Sequence, residues 1–453
     1  MRVTEVPGQH PPHRRATASR TGRARAPRRL AGAAAGVVLA SSLAACGGGG
    51  TGGVPTLTWY TNPDSGGQAE LAARCTEAAE GRYRISAAVL PRDAAGQREQ
   101  LVRRLAANDA SIDIMSLDPP FIPEFAAAGF LADIPDDVEE RVTEGVVQGA
   151  IEGATWDDEL VAVPFWANTQ VLWYRKSVAE AAGLDMDEPV TWEQIVQAAE
   201  DQGKLVGAQG ARAESLTVWL NALIESAGGS IIEENAEDPA DIQLGLTTEA
   251  AQRAAEVMGM VASSDAVSPA FSTENEDASA TGFEGERGGF QVNYPFVYPR
   301  ALGAVDAGSL DPSVPEDYGA AVYPRVDPDQ PAAPPLGGIS LGISAFSQNV
   351  DLALEAAECI TTAENQAYYF VTNGNPAAKA EVFDDPEVLE AFPQAPVIRE
   401  SLELAKPRPQ TPYYSEVSGG LQREYHPPSS VGEGTGKAAA ELISAVLRGD
   451  QLL

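Results

Sequence analysis

The side chains in this sequence with the most evident chemistry are aromatics set beside carboxylates and amides. Trp59 and Tyr60 precede Asp64, Phe165 and Trp166 precede Asn168, Trp219 lies between Glu214 and Asn221, and Tyr294 follows Asn293. The C–H faces of a sugar ring pack on aromatic surfaces of this kind, while Asp, Glu, Asn and Arg pair with its hydroxyls. Any one of these pairings is ordinary core; their recurrence at the ends of expected strands points to ligand binding. Metal and nucleophile chemistry have less to draw on. After residue 45 the sole histidine is His426, followed by Pro427 and Pro428. One histidine cannot complete the usual zinc ligand sets, and nothing around it suggests a Ser–His–Asp triad. No nucleophile elbow, P-loop or dinucleotide-binding glycine motif follows a strand. Neither a metal nor a cofactor is therefore expected. Carboxylates are numerous enough that a secreted glycosidase using two of them, for example Asp118 and Glu276, stands as an alternative.

Charge and the N-terminus narrow the setting. Eight arginines and one glutamate precede residue 46, leaving 23 basic and 64 acidic side chains after it, a formal −41. So acidic a surface repels phosphate backbones, which argues against nucleic acid as a partner. The basic stretch through Arg29 runs into an apolar, small-residue segment from Leu30 to Ala45, the pattern of an export signal over residues 1–45. Leu43-Ala44-Ala45-Cys46 resembles the bacterial lipobox, which makes Cys46 the expected lipidation site and residues 46–53 a flexible tether. The remaining cysteines, Cys75 and Cys359, are both expected on buried helix faces. In an exported protein they read as one disulfide, or else as two buried thiols.

The elements that must position these residues follow an α/β order. Leu57–Tyr60, Tyr83–Leu90 and Ile112–Leu117 read as strands, with helices over Gln68–Glu80 and Asp93–Ala107 between them, which predicts a mainly parallel sheet. Ligands of such sheets sit beyond the carboxyl ends of the strands, where Asp64 and Asp118 fall. Thr191 and Gln194 form a capping box. Helices are predicted over Ala213–Ala227, Thr247–Ser263 and Lys437–Leu447. Gly289–Val292 and Gly337–Ser344 read as strands, and Gly308–Pro335 as irregular. The stretch Val161–Arg175, VAVPFWANTQVLWYR, is apolar on both sides of Asn168-Thr169-Gln170. It is predicted to cross between two lobes, with Pro164 marking the exit from the first sheet and Asn168 facing the cleft. Trp173 and Tyr174 are expected in the core of the second lobe.

Taken in order, L-D-P-P at 117–120, V-P-F-W-A-N-T-Q-V-L-W-Y-R at 163–175, W-L-N-A-L-I-E-S-A-G-G at 219–229, V-N-Y-P-F-V at 292–297 and R-P-Q-T-P-Y-Y at 408–414 resemble bacterial extracellular solute-binding proteins of carbohydrate-uptake ABC transporters. They look most like the mycobacterial trehalose-binding lipoproteins and their actinobacterial relatives, from about Thr56 to the C-terminal helix. The resemblance implies a type II periplasmic-binding-protein fold, two α/β lobes with a ligand cleft between them. The first lobe would comprise residues 54–165 and 337–403, the second 166–336 and 404–453. It implies ligand contacts from Asp64, Asp118, Asn168, Glu276, Tyr294, Gly338 and Arg408, and it places a cysteine pair at Cys75 and Cys359. Where these relatives carry Trp, this chain has Tyr294, a smaller face with an added hydroxyl. The implied partners are a disaccharide, trehalose first and maltose or another α-glucoside second, and the membrane permease of an importer. The protein would act as a monomer, lipid-anchored on the outer face of the cell membrane.

Overall fold

The computed structural model describes residues 53–453; the signal segment, Cys46 and the tether up to Gly52 lie outside the described residues. Ten strands build two sheets. In chain order they are β1 (Thr56–Thr61), β2 (Arg84–Val89), β3 (Ile114–Leu117), β4 (Val163–Thr169), β5 (Val171–Arg175), β6 (Leu205–Gly207), β7 (Gly288–Asn293), β8 (Tyr318–Ala321), β9 (Pro335–Ile343) and β10 (Lys406–Pro407). The first sheet runs β2-β1-β3-β9, with β4 on the far edge of β9 and β10 beside its start. β1, β2 and β3 are parallel, as the β-loop-α order predicts, but β9 returns antiparallel to both β3 and β4, so the sheet is mixed. The second sheet runs β8-β5-β7-β6. β8 lies inside the stretch expected to be irregular; its Pro- and Asp-rich flanks mask a strand paired along β5.

The helices that matter for the site are α1 (Gly67–Ala78), α2 (Ala94–Leu105), α3 (Glu214–Ser226), α4 (Glu276–Glu284), α5 (Val350–Ile360), α6 (Ala363–Asn373) and α7 (Tyr414–Glu424). Their starts obey local chemistry. Asp93 caps α2 through the Gly96 N–H, and Asn275 caps α4 through the Ala278 N–H at 3.0 Å. The expected capping box at Thr191 and Gln194 is present in both directions.

Two cores correspond to the two lobes. One gathers Leu57, Trp59, Leu71, Ile114, Phe165 and Ile343; the other gathers Leu172, Trp192, Trp219, Met258, Phe290 and Val292. A third core joins Ala167, Val171 and Trp173 of the crossing stretch to Phe283 and Val297 on one side and to Phe370, Phe392 and Ile398 on the other. Residues 370–402, expected to belong to the first lobe alone, thus pack against the crossing and second-sheet residues. Each core is fully apolar burial of the kind that contributes about 25 cal/mol per Å².

The crossing itself lies later than expected. β4 stays in the first sheet through Thr169, opposite Leu336, and β5 enters the second at Val171, opposite Asn293. Gln170 is the residue between, fully buried, with its Nε2 donating to Gln209 Oε1 at 2.9 Å. Pro164 does not end the first sheet. It remains in β4 opposite Ser340, where the register shifts between Ile339 and Ser340, the kind of irregularity that tolerates a residue lacking an N–H. Cys75 of α1 and Cys359 of α5 form a disulfide across 284 positions of sequence, with Cα atoms 5.9 Å apart.

Candidate ligand-binding cleft

Strand pairing brings the cleft residues together. β3 runs antiparallel to β9 and ends at Leu117 opposite Ser340, whereas β10 runs parallel to β9 and ends at Pro407 opposite Leu336. The two strand ends therefore point at each other along one edge of β9, leaving Gly337, Gly338 and Ile339 open between them. Asp118 and Arg408, the next residue in each strand, meet across that gap, with Arg408 Nη2 2.6 Å from Asp118 Oδ1. Gly338 has φ +117°, and a Cβ there would lie 2.2 Å from the Trp166 carbonyl oxygen. Only glycine lets β9 approach β4 so closely while exposing backbone to the cleft.

Arg408 is nearly buried and holds a second carboxylate. Its Nη1 lies 2.7 Å from Glu214 Oε1, at the first turn of α3. The Tyr414 hydroxyl donates to the same oxygen, and the Ser418 hydroxyl donates to Glu214 Oε2 at 2.7 Å. Asp118 belongs to the first sheet and Glu214 to the second lobe, so one guanidinium ties the two lobes at the floor of the cleft. Burial raises the Asp118 carboxyl above its ordinary range; Arg408 opposes this shift and Glu214 adds to it.

Around this bridge a cavity of about 520 Å³ opens, a size within the roughly 300–1,000 Å³ of small-molecule pockets. Asn168 lines it from β4, opposite Gly337, with its Oδ1 accepting from the Thr169 N–H at 3.1 Å. Glu276 enters from the start of α4. Among the described residues no other side chain hydrogen-bonds its carboxylate or pairs with it, and burial raises that carboxyl as well. Three aromatic side chains, Trp166, Tyr294 and Tyr369, complete the walls. The amino ends of α2, α3 and α4 all border the cavity, with the positive ends of their helix dipoles; only α3 lacks a side-chain cap. Four carboxylates (Asp93, Asp118, Glu214, Glu276) stand against two guanidinia (Arg92, Arg408), a formal −2 in the lining.

Of the seven residues expected at the ligand, Asp118, Asn168, Glu276, Tyr294, Gly338 and Arg408 line this one cavity, and Asp64 does not. Asp64 is exposed; its carboxylate accepts from the N–H groups of Gly66 and Gln68, at 2.9 and 2.7 Å, holding the turn into α1, and faces the hydroxyl of Tyr369. Its neighbours Asn62 and Pro63 reach the cavity instead. The aromatic pairings also divide. Trp166 lines the cavity, while Trp59 is core, donating to Ser116, and Trp219 is core between Trp192 and Phe271. Tyr369 carries no local signal in the sequence, and Tyr414, the last residue of the R-P-Q-T-P-Y-Y motif, is not singled out there as a contact. Glu214 was noticed only as a neighbour of Trp219. A separate groove of about 760 Å³, lined by Arg74, Tyr368 and several acidic residues, contains none of the seven.

Among the described residues no group of three or more His, Cys, Asp or Glu side chains is arranged to hold a metal ion. No helix among them is long and apolar enough to cross a membrane.

Known proteins agree with this architecture. The probable ABC transporter-binding protein of Deinococcus radiodurans is 26% identical over 277 residues, which cover 57% of this chain and 62% of that protein, just under two thirds of its length. The maltose-bound MalE3 protein of T. maritima superposes with a TM-score of 0.73 at 24% identity, covering 87% of this chain and all of that one. The GacH receptor of Streptomyces glaucescens, solved unliganded and with acarbose, gives a TM-score of 0.69 at 18% identity over 88% of this chain and 99% of that one. At these identities the likeness establishes the two-lobe type II fold. The profile of bacterial extracellular solute-binding proteins matches residues 89–367, well over half the chain. These are binding proteins rather than enzymes, which sets aside a two-carboxylate glycosidase. This chain belongs to the bacterial extracellular solute-binding protein family.

Proposed function

We propose that the protein captures a neutral disaccharide in the cleft between its lobes and delivers it to the permease of an ABC importer. Trehalose is the first expected ligand, from the sequence resemblance; maltose or another α-linked glucoside is supported equally by the maltose-bound relative. The observation that carries the reading is the convergence of six expected contact residues on one cavity walled by Trp166, Tyr294 and Tyr369. Aromatic faces take the apolar sides of the rings, and Asn168, Glu276 and the free oxygen of Asp118 take the hydroxyls. The formal −2 of the lining disfavours sugar phosphates and sugar acids. Asp64 is retained as a contact at the margin of the cavity, where its carboxylate faces the hydroxyl of Tyr369.

No bond is made or broken in this scheme. Sugar binding shifts an open–closed equilibrium, and the closed form is what the permease engages. The protein works as a monomer held at the outer membrane face through lipidated Cys46. Calorimetric titration of the Asn168→Ala/Asp118→Ala variant tests the site. Sugar affinity is expected to fall about thirtyfold to several hundredfold, because each change removes hydrogen bonds worth about 1–2 kcal/mol. Unchanged affinity in the double variant would place the ligand elsewhere.

A further inference from the structure

Asn293 lies beneath the cleft. It is the last residue of β7 and is fully buried. Every polar atom of its side chain is engaged. Nδ2 donates to the Glu276 backbone carbonyl at 3.0 Å and to Gln291 Oε1 at 3.3 Å, and Oδ1 accepts from the Tyr294 N–H at 2.9 Å. Its own backbone carbonyl accepts from Trp173 Nε1 at 3.2 Å, and its strand is paired with the crossing stretch at Val171. Gln291 extends the link, its Oε1 also accepting from the Ser279 hydroxyl of α4 at 3.2 Å. One amide thus fastens the first turn of α4 to the loop leaving β7. These are the segments that carry the Glu276 carboxylate and the Tyr294 ring into the cavity.

We propose that Asn293 is a positioning residue for ligand binding, joining Glu276 and Tyr294 into one rigid unit. The inference rests on the reading of Glu276 and Tyr294 as ligand contacts. A carboxylate and an aromatic face act together on one ring only if their spacing is held to within about half an ångström, which requires support from a fixed element. β7 is that element. Nothing else among the described hydrogen bonds joins the Glu276 backbone to the end of β7.

The test is a set of mutant cycles read by calorimetric titration with whichever of trehalose and maltose binds the wild-type chain more tightly. Asn293→Asp keeps the acceptor for Tyr294 and loses the donor to Glu276; it is expected to weaken binding about tenfold. In a Glu276→Ala/Tyr294→Ala background the same change is expected to cost less than about twofold. In an Asn168→Ala background the tenfold loss should return, since Asn168 is positioned from another sheet. An equal loss in all three backgrounds, as a general structural role would give, overturns the inference, and so does no loss in the wild-type background. Should Asn293→Asp fail to fold, the neutral Asn293→Ser carries the same cycles. If Glu276→Ala and Tyr294→Ala each leave affinity unchanged, the contact reading fails instead; binding of neither sugar to the wild-type chain overturns both.

Discussion

Arg408 is 5% exposed and satisfies two carboxylates that arrive from different lobes. Removing one member of such a set leaves the others buried without a counter-charge, a change that costs about 3–5 kcal/mol. Arg408→Ala is therefore expected to lower unfolding stability by about that amount near neutral pH. The sign of its pH dependence follows from Asp118, whose folded carboxyl is already raised by burial and is pulled down by Arg408. Without Arg408 it rises further, so the folded state binds its proton more tightly than the unfolded chain does. The stability this confers is full at acid pH and is lost as pH rises through the raised value. Denaturant melts at pH 5 and pH 8 check this: the deficit of Arg408→Ala should be smaller at pH 5. A deficit independent of pH would mean that the bridge does not control Asp118.

The helix α3 carries Glu214 at its first turn and Glu225 at its last, and the two ends behave differently. Glu214 sits where the helix dipole favours a negative charge. Glu225 sits at the opposite end, where the dipole opposes one, and burial pushes its carboxyl up to about 7, with Lys406 pulling it down only in part. A group raised in the folded state stabilises the fold below its ordinary range, near 4.5, and loses that contribution as pH rises through about 7. Glu225→Gln should accordingly match the wild type at pH 4.5 and exceed it by about 2–3 kcal/mol at pH 8, read by denaturant unfolding. Equal stability at both pH values would show Glu225 to be solvated. Elements such as α3 were legible in the sequence because apolar periodicity and flanking glycines mark them. β8 was not, because Pro and Asp around Tyr318–Ala321 mask a strand whose pairing with β5 comes from tertiary contact. Pro164 misled for the opposite reason: a proline that reads as a strand end is absorbed by a register shift against β9. At the site, Asp118, Asn168, Gly338 and Arg408 were legible as ordered motifs. Nothing local could show that β3 and β10 end head to head along β9, the arrangement that makes Asp118 and Arg408 partners. Asp64 lies outside the cavity lining because D-S-G-G is also a turn signature, and the turn engages its carboxylate beside Tyr369.

Across the whole molecule, two lobes and a third core straddling the crossing are held together by the Val163–Arg175 passage, the Arg408 bridge and the packing of residues 370–402. The Cys75–Cys359 disulfide works within one lobe, closing a loop of 284 positions that contains the entire second-sheet region up to α5. Restricting so long a loop in the unfolded chain is worth about 3–5 kcal/mol. The Cys75→Ser/Cys359→Ser variant should lose about that much in unfolding experiments under oxidising conditions, while keeping its ligand affinity, because neither cysteine lines the cleft. An unchanged unfolding midpoint would show that the bridge adds no stability. The cleft between the lobes is proposed as a disaccharide site. Calorimetric titration of the wild-type chain with trehalose, maltose, sucrose and glucosylglycerol tests it most directly. Saturable binding of trehalose or maltose at one site per chain is the expected result, and no heat from any of the four at millimolar concentration would contradict it.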